Sequence, residues 1–286
     1  MKKYFSLVLF AHTVFAMPFA VIGFFLAVST TEHEFNWTKL FLMLLCMVFA
    51  RNAAMAFNRY LDRDIDAKNP RTAIRDIPSG RIHPNQALLF TLINCILFSV
   101  STLLINPLCF YLSPIALAVV LGYSYTKRFT PLCHLILGLG LALAPIGAYL
   151  VVTGTFAMLP IYFSLAVLFW VSGFDIIYAL QDEEFDRNNN LNSIPARLGK
   201  KNALNVSSAF HVLAIVFVIL PYFFSELSWF YLAGVLFFIL LLIHQHELVK
   251  PDDLSKVDRA FFSTNGIASV VFAIFFLLDL YLRNQL

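Results

Sequence analysis

Nine apolar runs of about twenty residues each leave this chain few folds to choose from. They lie near 4–29, 39–61, 85–105, 107–125, 131–152, 156–181, 202–224, 227–248 and 260–281. Such a run is as long as an α-helix must be to cross the hydrocarbon core of a bilayer. Lipid offers no partners for backbone N–H and C=O groups, so a spanning segment must satisfy its own, as a helix or within a closed barrel. A barrel strand alternates polar and apolar residues, whereas these runs are continuously apolar. With 60% hydrophobic residues, 13% charged ones and a mean hydropathy of +0.78, a soluble domain is excluded. The first run is too long for a signal-peptide core and is followed by further spans, so it is read as a retained helix. The expectation is an all-α integral membrane protein with nine transmembrane helices, forming one domain over residues 1–286.

Charge distribution orients the helices. The N-terminus and every second loop carry 17 of the 20 lysines and arginines, leaving Lys39 and Arg283 opposite and Arg51 within a span. The excess of Lys and Arg in cytoplasmic loops places the N-terminus in the cytoplasm and the C-terminus outside. The net charge of +3 comes without a long basic tail or nucleic-acid motif, so no nucleic-acid partner is expected. Cys46, Cys95, Cys109 and Cys133 lack metal-ligand spacing and read as core or lipid-facing side chains.

Against this apolar background stand two acidic stretches, closing the second and sixth runs on the cytoplasmic side. The first holds Asn58, Asp62 and Asp66; the second holds Asp182 and Asp186, with Tyr178 four residues earlier. Four-residue spacing stacks carboxylates on one face of a helix. Either stretch alone could be a solvated helix end. Two at one membrane depth would repel unless cations lay between them. Divalent metal ions holding a polyphosphate meet that need, since Mg²⁺ takes oxygen ligands from one or two carboxylates plus substrate phosphates. Asp64, Glu183 and Glu184 read as surface charges.

Arg51 and Asp175 each lie two helical turns deeper than Asn58 and Asp182. A buried ionisable group in a span faces a cavity or a partner. An interhelical ion pair is one reading. The other is a cavity wall in which Arg51 grips a substrate carboxylate through two hydrogen bonds and Asp175 orients a polar group. Arg71, Arg75, Lys127 and Arg128 suit phosphate oxygens as well as they suit basic cytoplasmic loops. His12 could face the same cavity. The 31 phenylalanines and 11 tyrosines could line an isoprenoid groove, although any single Phe is better explained by packing. No Gly-rich phosphate cradle is present, so ATP chemistry has no support.

The order Asn58-Arg59-x-x-Asp62-x-x-x-Asp66 followed by Tyr178-x-x-x-Asp182-x-x-x-Asp186 resembles the two motifs of the UbiA superfamily of intramembrane prenyltransferases. Further stretches resemble it over nearly the whole chain: His12-Thr13-x-Phe15-Ala16-x-Pro18-Phe19, Arg71-Thr72-x-x-Arg75, Tyr125-Thr126-Lys127-Arg128 and Leu143-Ala144-Pro145-Ile146-Gly147-Ala148. The last is similar to members that prenylate 4-hydroxybenzoate. Arg59 stands where the family's first motif has aspartate, and Asp76 where proline is usual. The resemblance implies nine helices around a central cavity open to cytoplasm and lipid. It further implies Mg²⁺ held by Asn58, Asp62, Asp66, Asp182 and Asp186, a polyprenyl diphosphate and an aromatic acid acceptor. The setting would be the bacterial cytoplasmic membrane, with no obligate protein partner. A naphthoate or haem acceptor, or a transporter for cations or organic anions, are the competing readings.

Overall fold

The computed structural model describes residues 13–283. Its long helices are α1 (Thr13–Thr30), α2 (Trp37–Leu61), α3 (Pro84–Ile105), α4 (Pro107–Thr126), α5 (Cys133–Thr153), α6 (Met158–Ala179), α7 (Ile194–Phe224), α8 (Trp229–Leu248) and α9 (Asn265–Arg283). Among the described residues, eight helices are long and apolar enough to cross a membrane. The first expected span contributes only the shorter apolar stretch Phe15–Thr30. The rest of that span, with His12, lies outside the described residues.

Local chemistry sets the breaks. Asn106 ends α3 and caps α4, its side chain accepting from Cys109 N at 2.8 Å while Pro107 opens the new helix. Ser193 caps α7, which begins eight residues earlier than the hydropathy of the run suggests. Gly199 accounts for that difference: with φ 74° and ψ 163° it bends the chain, so a short polar helix precedes the apolar run. A π-turn over Arg259–Thr264 leads into α9, and the Gln245 amide donates to its Ala260 carbonyl at 2.8 Å.

α5 and α6 are the most buried spans and α2, α3 and α4 the least. α1 packs on α5 and α9; α5 also holds α4 and α6; and α6 holds α7. The core is aromatic, with Phe19, Phe163, Trp170, Phe174, Phe238, Phe272 and Phe276 buried against one another. These phenylalanines are therefore packing residues rather than the lining of an isoprenoid groove. Trp170 also donates from Nε1 to Asn265 Oδ1 at 3.1 Å, which satisfies its one polar atom inside the core.

Candidate active site

Neither acidic stretch is a continuous helix. α2 ends at Leu61, Asp62 takes φ −88° and ψ 2°, and a one-turn helix Arg63–Asp66 follows. α6 ends at Ala179, passes through a 3₁₀ turn to Asp182 at φ −103° and ψ 5°, and restarts as Glu183–Asn188. The expectation of carboxylates stacked along one helical face is thus corrected. Each helix breaks at its first aspartate, and the second aspartate sits on the short helix beyond. Both breaks turn their carboxylates inward to one cavity of about 240 Å³.

That cavity is lined by Asn58, Asp62, Asp66, Arg71, Lys127, Asp175, Tyr178, Asp182 and Asp186 together. Arg128 stands at its edge through Asp62. Arg51 is not among the lining residues. Asp64 is a surface charge beside Arg63. Glu183 pairs with Arg187 outside the cavity. Cys133 is among the residues lining the cavity, where sequence reasoning read it as a core or lipid-facing side chain.

Cations answer most of the carboxylates. Lys127 Nζ lies 2.8 Å from Asp62 Oδ2, and Arg128 Nη2 lies 2.9 Å from Asp62 Oδ1. The Asn58 amide donates to Asp62 Oδ2 at 3.1 Å and to Ser124 Oγ at 3.4 Å. Arg75 donates to both oxygens of Asp66, at 2.7 and 2.8 Å. The loop after the first stretch then crosses to the second. Arg71 grips both oxygens of Asp182 and donates to Tyr178 OH at 3.1 Å, while the Asn69 amide donates to Asp182 Oδ1 at 2.9 Å. Burial works against the Arg71 charge, but its hydrogen bond and attraction to Asp182, and then Tyr178, hold the guanidinium above its ordinary range. Asp186 has no ion pair among the described residues.

Sequence reasoning missed Asn69, Ser124 and His134. It read Arg75 as a phosphate contact or an ordinary basic loop residue, whereas here it pairs with Asp66. A histidine in the first turn of an apolar run was the available signal for His134: its Nδ1 is 2.7 Å from Asp175 Oδ2. Asn69 and Ser124 are ordinary polar residues near helix ends, and nothing local marks them.

The donor set suits a hard cation. Every acidic side chain facing the cavity offers oxygen, yet among the described residues no three His, Cys, Asp or Glu side chains stand close enough to hold a metal unaided. That pattern fits an ion completed by substrate oxygens and water, which is the habit of Mg²⁺.

The chain is similar to known proteins in sequence and in fold. The family model described as "UbiA prenyltransferase family" matches residues 16–276. The 4-hydroxybenzoate octaprenyltransferase of Tolumonas auensis is 30% identical over 231 residues, covering 78% of both chains. That of Aeromonas hydrophila is 28% identical over 238 residues, covering 83% of this chain and 82% of its own. Among solved structures, the apo UbiA homolog from Aeropyrum pernix superposes with a TM-score of 0.84 at 31% identity, covering 94% of this chain and 98% of its own. A UbiA homolog from Archaeoglobus fulgidus, solved with DMAPP and Mg²⁺, shares the fold with a TM-score of 0.77 at 20% identity, covering 98% of this chain and 99% of its own. This multi-span membrane protein therefore belongs to the UbiA prenyltransferase family.

Proposed function

We propose that the protein transfers a polyprenyl group from polyprenyl diphosphate to an aromatic acid, 4-hydroxybenzoate in the first instance, for respiratory quinone synthesis. The observation that carries this is the shared cavity: two acidic breaks from different parts of the chain meet there, with Arg71 and Lys127 among them. Supporting it are the names of the relatives, all prenyl transfer to that acid, and the Mg²⁺ and DMAPP bound by a structural neighbour.

In this reading Asp62, Asp66, Asp182, Asp186 and Asn58 would hold Mg²⁺. When bound, the metal would lower the charge on the departing diphosphate. Arg71, Lys127 and Arg128 would leave their carboxylates for phosphate oxygens and share that neutralisation. The carbon–oxygen bond breaks with its electron pair on the diphosphate, leaving an allylic cation on the prenyl chain. The ring's π electrons form the new carbon–carbon bond, and the ring carbon then gives its proton to the diphosphate. Tyr178, beneath the Arg71 guanidinium at 5.3 Å, would keep that cation in place and present an aromatic face. Arg51, which does not line this cavity, would hold the acceptor carboxylate from two turns before Asn58 on α2. The setting is the bacterial cytoplasmic membrane, with nine spans, the N-terminus in the cytoplasm and the C-terminus outside.

Membranes containing the protein, incubated with labelled polyprenyl diphosphate, Mg²⁺ and a panel of aromatic acids, should yield prenylated 4-hydroxybenzoate by mass spectrometry. A product formed only from a hydroxynaphthoate or haem would move the acceptor. Uptake into proteoliposomes without turnover would replace the enzyme by a transporter. A reporter fused after Leu286 should lie on the outer side of the cytoplasmic membrane.

A further inference from the structure

One buried pair in the cavity wall is used by none of the phosphate chemistry. His134, almost fully buried in the first turn of α5, faces Asp175 on α6. The helices are brought together at Gly138, one turn along from His134: a Cβ there would stand 2.4 Å from both Leu168 O and Ser172 Oγ. Ser172 in turn donates to the His134 carbonyl at 3.2 Å. This close approach fixes both partners on rigid helices rather than loops.

The other face of the imidazole settles its proton. The backbone N–H of Ile194, at the start of α7, donates to His134 Nε2 at 3.3 Å. A nitrogen that accepts carries no hydrogen, so Nδ1 carries the ring's proton and donates it to Asp175 Oδ2. The pair therefore presents a carboxylate oxygen, and not a cation, to the cavity. Asp175 Oδ1 makes no hydrogen bond among the described residues, and its side chain is 23% exposed toward the cavity. Unlike Asp62, Asp66 and Asp182, it has no Lys or Arg ion pair among the described residues. A diphosphate would be repelled there. A neutral hydroxyl would be received, and a hydrogen bond from a phenol to a carboxylate moves electron density into the ring, making it a better nucleophile.

We propose that His134 is a positioning residue that turns Asp175 so its free oxygen accepts the hydrogen bond of the aromatic acceptor's ring hydroxyl. The proposal rests on the aromatic-acceptor reading above and adds the site that reads the hydroxyl.

His134→Ala should raise the KM for 4-hydroxybenzoate by about tenfold or more, the worth of a charge-assisted hydrogen bond, while the KM for prenyl diphosphate stays within about twofold. His134→Asn, whose amide reaches the Nδ1 position, should recover most of the loss. Asp175→Asn should resemble His134→Ala, and the double variant should be no worse than either alone. Effects that multiply, no rescue by Asn, or equal changes in both KM values would overturn the proposal.

A second readout needs no turnover. In a variant whose only cysteine is Cys133, N-ethylmaleimide reacts inside this cavity. 4-Hydroxybenzoate should slow that reaction and 4-methoxybenzoate should not, with the difference lost in His134→Ala. Equal protection by both acids, or by neither, overturns the proposal. Selective protection without prenylation would uphold it while removing the catalytic reading.

Discussion

The two acidic breaks use the same backbone device but sit in opposite electrostatic settings. Asp62 and Asp66 are almost fully buried and held by Lys127, Arg128 and Arg75. Asp182 is 19% exposed at its side chain and held by Arg71 and Asn69, while Asp186 has no cation partner among the described residues. The difference follows from what comes after each break. The first is followed by a basic loop whose Arg75 folds back onto Asp66 and whose Asn69 and Arg71 reach across to Asp182, while Lys127 and Arg128, just beyond α4, hold Asp62. The second is followed by Asn189–Ser193, whose contribution is structural: Asn192 N donates to the Lys127 carbonyl at 2.6 Å. One stretch is therefore locked into the scaffold and the other stands open to a ligand.

The largest expected effect tests what the two share. Asp62→Ala and Asp182→Ala should each lower turnover by about 10²-fold or more, since each removes charge stabilisation at the leaving group. Near-normal prenyl transfer by purified Asp182→Ala at saturating Mg²⁺ would remove the metal assignment. Removal of divalent cations with EDTA should abolish turnover in the parent protein, and added Mg²⁺ should restore it.

Stability should then separate the two. Asp62→Ala strands two partly buried cations and should cost about 3 kcal/mol, seen as a lower melting temperature in detergent. Asp186→Ala strands none, and its melting temperature should stay near that of the parent although turnover falls. Equal destabilisation would mean that the second stretch is as structural as the first.

Arg71 is where the first half grips the second, and its geometry matters beyond its charge. It holds both oxygens of Asp182 and the Tyr178 hydroxyl at once. Lysine keeps the charge but cannot form that fork. Arg71→Lys should raise the KM for prenyl diphosphate about tenfold, with smaller loss of kcat; an unchanged KM would detach Arg71 from the diphosphate.

How much of this could be read in the residues depends on the length scale of the signal. Eight long apolar helices follow from hydropathy because lipid leaves a backbone no alternative. That Asp62, Asp66, Asp182 and Asp186 share a cavity was legible too, since charge is costly in an apolar chain and its placement there is informative. The breaks at Asp62 and Asp182 were not, because four-residue spacing is equally compatible with an unbroken helix. Nor was the extra turn before Gly199, which depends on a backbone angle. Most hidden was the Asp175–His134 pair: the two residues lie 41 positions apart, and the packing of α5 on α6, close at Gly138, brings them together.

The smallest expected effect probes the bridge between the two breaks. Asn69 lies three residues after the first acidic stretch yet places its side-chain NH2 on Asp182 Oδ1, while its side-chain oxygen Oδ1 accepts from Arg71 N at 3.0 Å. It thus fixes the backbone of the residue that carries the main cation to the second break. Asn69→Ala would remove the hydrogen bond to Asp182, worth about 1.5 kcal/mol, together with the one accepted from Arg71 N, and leave the Arg71 fork in place. The KM for prenyl diphosphate should rise about fivefold to tenfold with little change in melting temperature. Asn69→Asp tests the same contact with opposite sign, because a carboxylate there would face Asp182 and compete for Arg71. It should be worse than the alanine variant. If aspartate is tolerated better than alanine, the Asn69 side chain does not meet Asp182 in the working enzyme, and the two breaks are joined by Arg71 alone.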